Sequence, residues 1–487
     1  MMDFKVDEES DKKDNEKCFL KNKQKIKYNS FTLLEIFPLE KINHLIDGLD
    51  KLYEGAYFTD DSRYNYRDIL RNMSKNLFVS QVIPFPPIIN VDFDCIGLPR
   101  GVCYDLGDNI TYYTLSLNVI MPSLVVLKIN VYLNENISNK LNDIIYKYHK
   151  TNIDTVKDFT TKKILSPETV KYGEIYDFRA SLRSEAINFI SNYFKGYFFE
   201  EIKRADNSVV PYIDTFSLKY PMKYKEIVMW KIQNKEFFRC FGLSINNADV
   251  YSNNFLLSFE EGGIVMKARF NNYLLFANTK KIQNSLHFLL KNKNETISCI
   301  DYINDEIEGI ITEYPFELFA ISRWLEIQEK YVGEFFNSIS KEFTNINENK
   351  LELSIDIRKK ISNIIFQFQR FKTEYKLYMR YEYRKDFHCI YEDDDDFKYF
   401  SDLKNRINER INDIDELIFM YTNNSDSIIT LKNIEYNKNI QDGIYVLTFF
   451  IIILTIIQII FSFYGEHLLE IINIIFYLIK LIITLFF

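Results

Sequence analysis

The sequence predicts an α+β cytoplasmic domain followed by a long α-helical stalk and a C-terminal two-helix transmembrane hairpin. Three observations predict it. Strand-like runs alternate with helical patterns between residues 85 and 291, apolar residues recur at heptad spacing from 357 to 421, and two long apolar runs close the chain. With 487 residues there is room for two or three domains. Apolar residues make up 47% and charged residues 26%, the composition of a folded chain rather than a disordered one. Its 60 Lys and Arg face 68 Asp and Glu, a formal charge of −8, so the basic footprint that phosphate neutralisation requires is missing. No nucleic-acid partner is expected.

Residues 1–30 are rich in charge and poor in apolar periodicity, and they read as a disordered charged arm. The start also lacks the apolar core of a signal peptide, which leaves the large domain on the side of synthesis. Residues 31–315 read as the α/β domain. Strands are expected at 88–93, 111–115, 124–131, 254–259, 263–270 and 273–277, with helices at 136–148, 180–198 and 281–291.

This region contains no GxxxxGK[ST] phosphate loop, no GxGxxG, no HExxH and no GxSxG, so no enzymatic activity is predicted. Histidines at 44, 149, 287, 388 and 467 lie far apart in sequence. His388 and Cys389 are adjacent soft ligands without partners, and they read as an incidental pair. Six cysteines without a CxxC spacing read as reduced thiols of a cytosolic domain.

Residues 316–440 read as the helical stalk. Ile357, Ile361, Ile364, Phe368, Phe371, Tyr375 and Tyr378 alternate spacings of four and three, the pattern of a coiled-coil seam. Phe400, Leu403, Ile407, Ile411, Ile414, Ile418 and Tyr421 repeat it, so these two helices should pair antiparallel. A third helix after Pro315 carries Ile321, Leu325, Val332, Phe335 and Ile339 on one face. The intervening turn holds Glu392, Asp393, Asp394, Asp395 and Asp396. Five neighbouring carboxylates repel one another: the turn is either simply solvated, or it binds a divalent cation whose shell other subunits complete.

Residues 441–487 read as the hairpin. From Gly443 to Tyr464 there are 22 residues without a charge, about 33 Å of helix, enough to cross a bilayer core. Leu468 to Phe487 supplies a second run with only Glu470 and Lys480 charged, after the short linker Gly465-Glu466-His467. Lys432 and Lys438 precede the first run while Glu466, His467 and Glu470 flank the turn, which places both termini in the cytoplasm and the hairpin in the cytoplasmic (inner) membrane.

Gln441, Thr448, Thr455 and Ser462 recur every seven residues, and Gln458 adjoins them, forming one polar stripe. Polar groups in hydrocarbon are costly unless they face protein or water. The stripe is therefore either hydrogen-bonding glue between helices or the lining of a symmetric pore. Glu470, Asn473, Tyr477 and Lys480 mark a similar face on the second run, read as interfacial anchoring.

This plan resembles the CorA-type divalent-cation (magnesium/cobalt) transporter superfamily. In that family the first span ends in Tyr-Gly-Met-Asn, and this chain has Tyr464-Gly465-Glu466-His467 at that place, matching two of the four. The resemblance implies a homopentamer whose first spans line a pore. Counted back from Tyr464-Gly465, its pore-facing positions fall on Gln441, Ile444, Leu447, Ile451, Thr455, Gln458 and Ser462. Four of these belong to the stripe found from periodicity.

Ile444, Leu447 and Ile451 would then form a hydrophobic constriction, and Glu466 and His467 a ring that recruits the ion at the mouth. The implied cargo is a divalent cation, Mg²⁺ or a transition metal such as Co²⁺, Ni²⁺ or Zn²⁺. No covalent cofactor is implied. The rival expectation is a non-transporting, membrane-anchored coiled-coil scaffold.

Overall fold

The computed structural model describes residues 8–54, 66–73, 81–92, 101–155, 162–202, 209–221, 223–243, 250–252, 255–259, 272–280, 299–344, 351–381, 388–389, 399–463 and 468–486. It divides into two compact units. One comprises Met1–Lys330 with Gln367–Asp413, and the other Tyr331–Phe366 with Ile414–Phe487.

The first unit is an α+β fold built on a mixed sheet. Among the described residues the sheet has eleven strands: β1 (Lys27–Pro38), β2 (Gln81–Pro84), β3 (Ile88–Asn90), β4 (Val102–Tyr104), β5 (Ile110–Met121), β6 (Leu124–Leu133), β9 (Tyr212–Leu218), β10 (Val250–Ser252), β11 (Phe255–Phe259), β12 (Asn272–Asn278) and β13 (His388–Cys389). Its order is β13-β10-β11-β12-β9-β1-β6-β5-β3-β4, and β2 pairs with β5. The β12–β9 and β3–β4 pairs are parallel and the rest antiparallel. A separate hairpin joins β7 (Asn152–Thr155) to β8 (Lys162–Leu165).

Strands β1, β6 and β9 lie at the centre and are buried along their length. A strand covered on both faces carries apolar side chains on both, which is why 124–133 reads as an almost unbroken Leu-Val-Ile run. One face packs on α2 (Ile42–Leu52), α4 (Glu135–Tyr146), α5 (Pro167–Ile190) and α6 (Tyr197–Glu201). Phe37 meets Phe194, Tyr113 stacks on Phe189, and Glu35 accepts from the start of α6. The other face packs on α9 (Cys299–Glu313) and α10 (Glu317–Thr344), where Lys128 pairs with Glu317 and Tyr273 stacks on Phe319. The result is three layers around one core.

The expectation of a disordered arm over 1–30 is corrected from Glu8 onward. Residues Glu8–Lys17 form a helix, α1, and Lys27 opens the central strand β1. Tertiary contacts outweigh the polar composition. Asn15 Nδ2 donates to the His149 carbonyl at 2.7 Å, His149 N–H returns a bond to Asn15 Oδ1 at 2.9 Å, and Asp11 accepts from Thr151 N–H at 3.0 Å.

Strands expected at 111–115, 124–131 and 273–277 are present, the one expected at 88–93 is limited to Ile88–Asn90 before a turn, Phe255–Phe259 is the strand expected at 254–259, and the helix expected at 136–148 runs from Glu135 to Tyr146. The helix expected at 180–198 begins earlier, at Pro167, where Ser166 Oγ caps the Thr169 N–H at 3.3 Å, and ends at Ile190, with α6 opening separately at Tyr197. The strand at 263–270 and the helix at 281–291 lie outside the described residues.

Three long helices follow the sheet: α10, α11 (Leu351–Tyr381) and α12 (Tyr399–Phe463). Part of the heptad pattern is buried, while Ile364 and Tyr421 are half-buried. Phe368, Phe371, Tyr375 and Tyr378 on α11, and Phe400, Leu403, Ile407 and Ile411 on α12, are all buried in the first unit. Tyr375 Oη donates to the Lys404 carbonyl, and Lys404 lies over the Tyr378 ring, contacts of an antiparallel pair. Phe316 to Lys330 and Gln367–Asp413 thus belong to the unit of the sheet, so the helical segment expected as a separate layer over 316–440 is shared between the two units.

Within the second unit, Val332, Phe336, Ile361, Ile414 and Ile418 are buried, and Phe336 stacks on Tyr421 at 4.8 Å. Phe336, rather than the neighbouring Phe335, fills the seam.

Candidate functional site

Every residue of the expected polar stripe lies on one helix, α12, which runs uninterrupted from Tyr399 to Phe463. The physical reason is local: from 441 to 463 there is no Pro, and Gly443 is the single Gly. Among the described residues one helix is long and apolar enough to cross a membrane, Asn437–Ile459, with a mean hydropathy of 2.2. It takes in Lys438 and Asp442 ahead of the uncharged run.

None of this stretch is buried, so it is not a core helix of its own chain. Large side chains stand in the open all round it, Leu447 at 62% and Ile451 at 54% exposure among them. The closing helix α13 (Leu468–Phe486) contains a shorter apolar stretch, Ile472–Leu481.

Gln441, Thr448, Thr455, Gln458 and Ser462 are all exposed, and so are Ile444, Leu447 and Ile451. They remain on the helix faces that periodicity gave them, and the chain itself covers none of them. Two of the polar groups are already satisfied. Thr448 Oγ1 donates to the Ile444 carbonyl at 2.8 Å, and Thr455 Oγ1 to the Ile451 carbonyl at 2.7 Å. A threonine can return its hydroxyl to the preceding turn in this way, whereas a glutamine amide, with two donors and an acceptor, needs a partner beyond its own helix. Gln441 and Gln458 are therefore the demanding members of the stripe.

Tyr464, Gly465, Glu466 and His467 lie outside the described residues, and so do Glu392, Asp393, Asp394, Asp395 and Asp396. His388 and Cys389 form the edge strand β13, paired with Tyr251 and Val250 of β10. Among the described residues no three His, Cys, Asp or Glu side chains are gathered to hold a metal ion.

The sheet domain also contains ionic groups that sequence reasoning did not find. Asp214 on β9 accepts from Tyr28 Oη at 2.7 Å and from Arg183 Nη1 at 2.8 Å, and it is bridged to Arg179. Lys128 on β6 is 2.9 Å from Glu317, with both side chains removed from solvent. Burial, with the Glu236 carboxyl as neighbour, raises the Glu168 carboxyl to about 7. One signal was available: charged residues inside otherwise apolar runs, such as Lys128 in LVVLKINVYL and Asp214 in YIDTFSL, mark places where a partner must come from elsewhere.

Two polar clefts open on the same unit. One, about 580 Å³, is lined by Asn90, Asp92, Asp108 and Asp143 among others, and the second, about 430 Å³, by Lys25, Lys27, Glu135 and Lys219 among others. Set against models of known protein families the chain matches none, and no curated protein matches it.

Proposed function

We propose that this chain is a membrane-embedded homo-oligomer, a pentamer on the CorA-like plan, that passes divalent metal cations through a pore lined by its Gly443–Tyr464 helix. One observation carries the reading: a polar edge, demanding at Gln441 and Gln458, on an apolar helix that its own chain leaves uncovered. Lipid suits the apolar faces, but a glutamine amide in hydrocarbon needs protein or water. Copies arranged about a central axis supply both.

In this arrangement Ile444, Leu447 and Ile451 narrow the path and stop ions by dewetting, while the amides and hydroxyls carry the partly hydrated ion. Glu466 and His467 draw cations to the mouth. Leu468–Phe486 returns as the second arm of the hairpin, and Lys432 and Lys438 keep both termini in the cytoplasm. The long helices before the span form the stalk.

Reconstituted into liposomes, the protein is expected to take up Mg²⁺, Co²⁺, Ni²⁺ or Zn²⁺, with flux altered by Thr455→Leu and by Glu466→Ala. Absence of flux for all four ions, from a preparation sized as a pentamer in detergent, would overturn the proposal.

The second reading, a membrane-anchored coiled-coil scaffold, is favoured by the two threonine hydroxyls bonded to their own helix, which lower the cost of facing lipid. A monomer or dimer in detergent would support it, since neither can enclose the path.

A further inference from the structure

Three strand ends meet at one edge of the central sheet. β9 and β12 run parallel and finish side by side, with Leu218 opposite Asn278, and β1 begins next to them, with Lys27 opposite Ser217. A cleft of about 430 Å³ opens between these ends and the first half of α4. The crevice outside the carboxyl ends of parallel strands is the usual ligand position in open α/β sheets, and the β9–β12 pair supplies such ends here.

The walls are fixed by bonds between α4 and the start of β1. Asn142 Oδ1 accepts from the Ile26 N–H at 3.0 Å, Asn142 Nδ2 donates to the Ile26 carbonyl at 2.6 Å, and Ser138 Oγ accepts from the Tyr28 N–H at 3.0 Å. The cleft is therefore preformed, as small-molecule sites usually are.

Its charge is opposite in sign to that of the chain. Lys25, Lys27 and Lys219 line it against one carboxylate, Glu135, in a protein whose net charge is −8. Glu135 lies 3.6 Å from Lys27, whereas Lys25 and Lys219 are exposed and form no ion pair with any described residue. The adjoining cleft, which shares Asn139, is lined instead by Asp92, Asp108 and Asp143, so the positive excess is local. One hydrogen bond behind the lining, Ser217 Oγ donates to Asn29 Oδ1 at 2.7 Å, and Asn29 Nδ2 is a buried donor without an acceptor. These features favour a ligand that brings negative charge and acceptor oxygens.

The lining narrows the class further. Lysine ammonium groups, one just before β1 and one just after β9, suit phosphate as point charges. The amides of Gln24 and Asn139 and the hydroxyl of Thr279 suit ligand hydroxyls. Among the described residues no aromatic ring lines the cleft, so nothing there stacks on a nucleobase. We infer that this cleft binds a phosphorylated polyol, with phosphate groups on Lys25 and Lys219 and hydroxyls on Gln24, Asn139 and Thr279. Glu135 competes with the phosphate for Lys27. The site lies within the unit of the sheet and does not depend on the proposed ion path. A free inositol phosphate and the headgroup of a phosphoinositide lipid present the same chemistry to it.

Titration calorimetry on the full chain in detergent tests this with inositol trisphosphate, inorganic phosphate and myo-inositol as probes. Inositol trisphosphate is expected to bind saturably and more tightly than inorganic phosphate, and myo-inositol to give no binding heat. Lys25→Ala and Lys219→Ala should each weaken the trisphosphate by about tenfold, the scale of one charged hydrogen bond. Glu135→Gln should strengthen it, and Lys140→Ala, in the acidic cleft, should leave it unchanged. In bilayer discs, competition by phosphatidylinositol bisphosphate would identify the lipid as the source, and its absence the free ligand; both outcomes support the site. The inference is overturned if inositol trisphosphate does not bind, or if inorganic phosphate or myo-inositol binds as tightly. It also fails if the Lys25→Ala, Lys219→Ala double variant, folded by circular dichroism, keeps the wild-type affinity.

Discussion

Glu35 is the residue at which burial most directly opposes hydrogen bonding. Its carboxylate accepts from the backbone N–H of Ile36 at 2.8 Å and from those of Phe198 and Phe199 at 2.7 Å, at the start of α6. A Cβ on Gly196 would lie 2.4 Å from it, so that position requires glycine. Complete burial outweighs the three donors and raises its pKa from 4.5 to about 8. Between these two values the folded chain binds a proton that the unfolded chain has released, so stability falls as pH rises from 4.5 to 8 and levels off beyond. The expected contribution is on the order of 1 kcal/mol per pH unit in that window. Glu35→Gln should remove this part of the slope in denaturation midpoints measured at intervals of pH, and an unchanged slope would refute the assignment. The sequence around Glu35, TLLEIFP, signals only a charge inside an apolar run and not its partners: the three donors come from its neighbour Ile36 and from residues more than 160 positions away.

At the scale of elements, the sheet and the helices behind it are joined through a few buried polar contacts. Lys128 Nζ reaches the Ile311 carbonyl at 3.0 Å as well as Glu317, and Glu317 accepts from Asn118 at 3.2 Å and from Tyr378 at 3.4 Å. Strands β5 and β6 are thereby tied to α9, α10 and α11. Removing one partner of a buried pair strands the other charge, so Lys128→Met is expected to destabilise the chain by about 3–5 kcal/mol. Lys128→Met combined with Glu317→Leu should recover most of the loss. Denaturation followed by Trp324, on the same helix as Glu317, measures both, and a near-neutral single variant would show that the pair does not hold the layers together.

The elements themselves were unequally legible. The α11 and α12 seams were readable in part because a period of seven depends only on a helix meeting a neighbour: Phe368, Phe371, Tyr375 and Tyr378 are buried at that period, while Ile364 is half-buried. Strand β1 was not, because its first third, Lys27–Ser30, fell in a segment whose composition looked like an arm; its place at the centre comes from pairing with β6 and β9, distant in sequence.

For the whole molecule, the exposed apolar helix is the dominant fact. Side chains such as Leu454 and Val446, 62% and 53% exposed, would cost about 1.5–3 kcal/mol each if left in water rather than buried, and many stand side by side on this stretch. The stretch is long and apolar enough to cross a membrane. The full chain is accordingly expected to stay in the membrane fraction through alkaline carbonate and high-salt washes; release into the supernatant would refute a membrane-embedded span.

What the sequence by itself determined was whatever repeats along one element: the apolar run at 443–464, its polar stripe, the heptads, and the β6 strand. These depend on the spacing of residues on a single helix or strand, which covalent geometry sets. Tertiary structure alone decided that the charged N-terminus docks as α1 and β1, and that Lys128 and Asp214 have partners. Those outcomes depend on contacts between residues up to hundreds of positions apart, and no local pattern encodes which distant surface will satisfy a buried polar group.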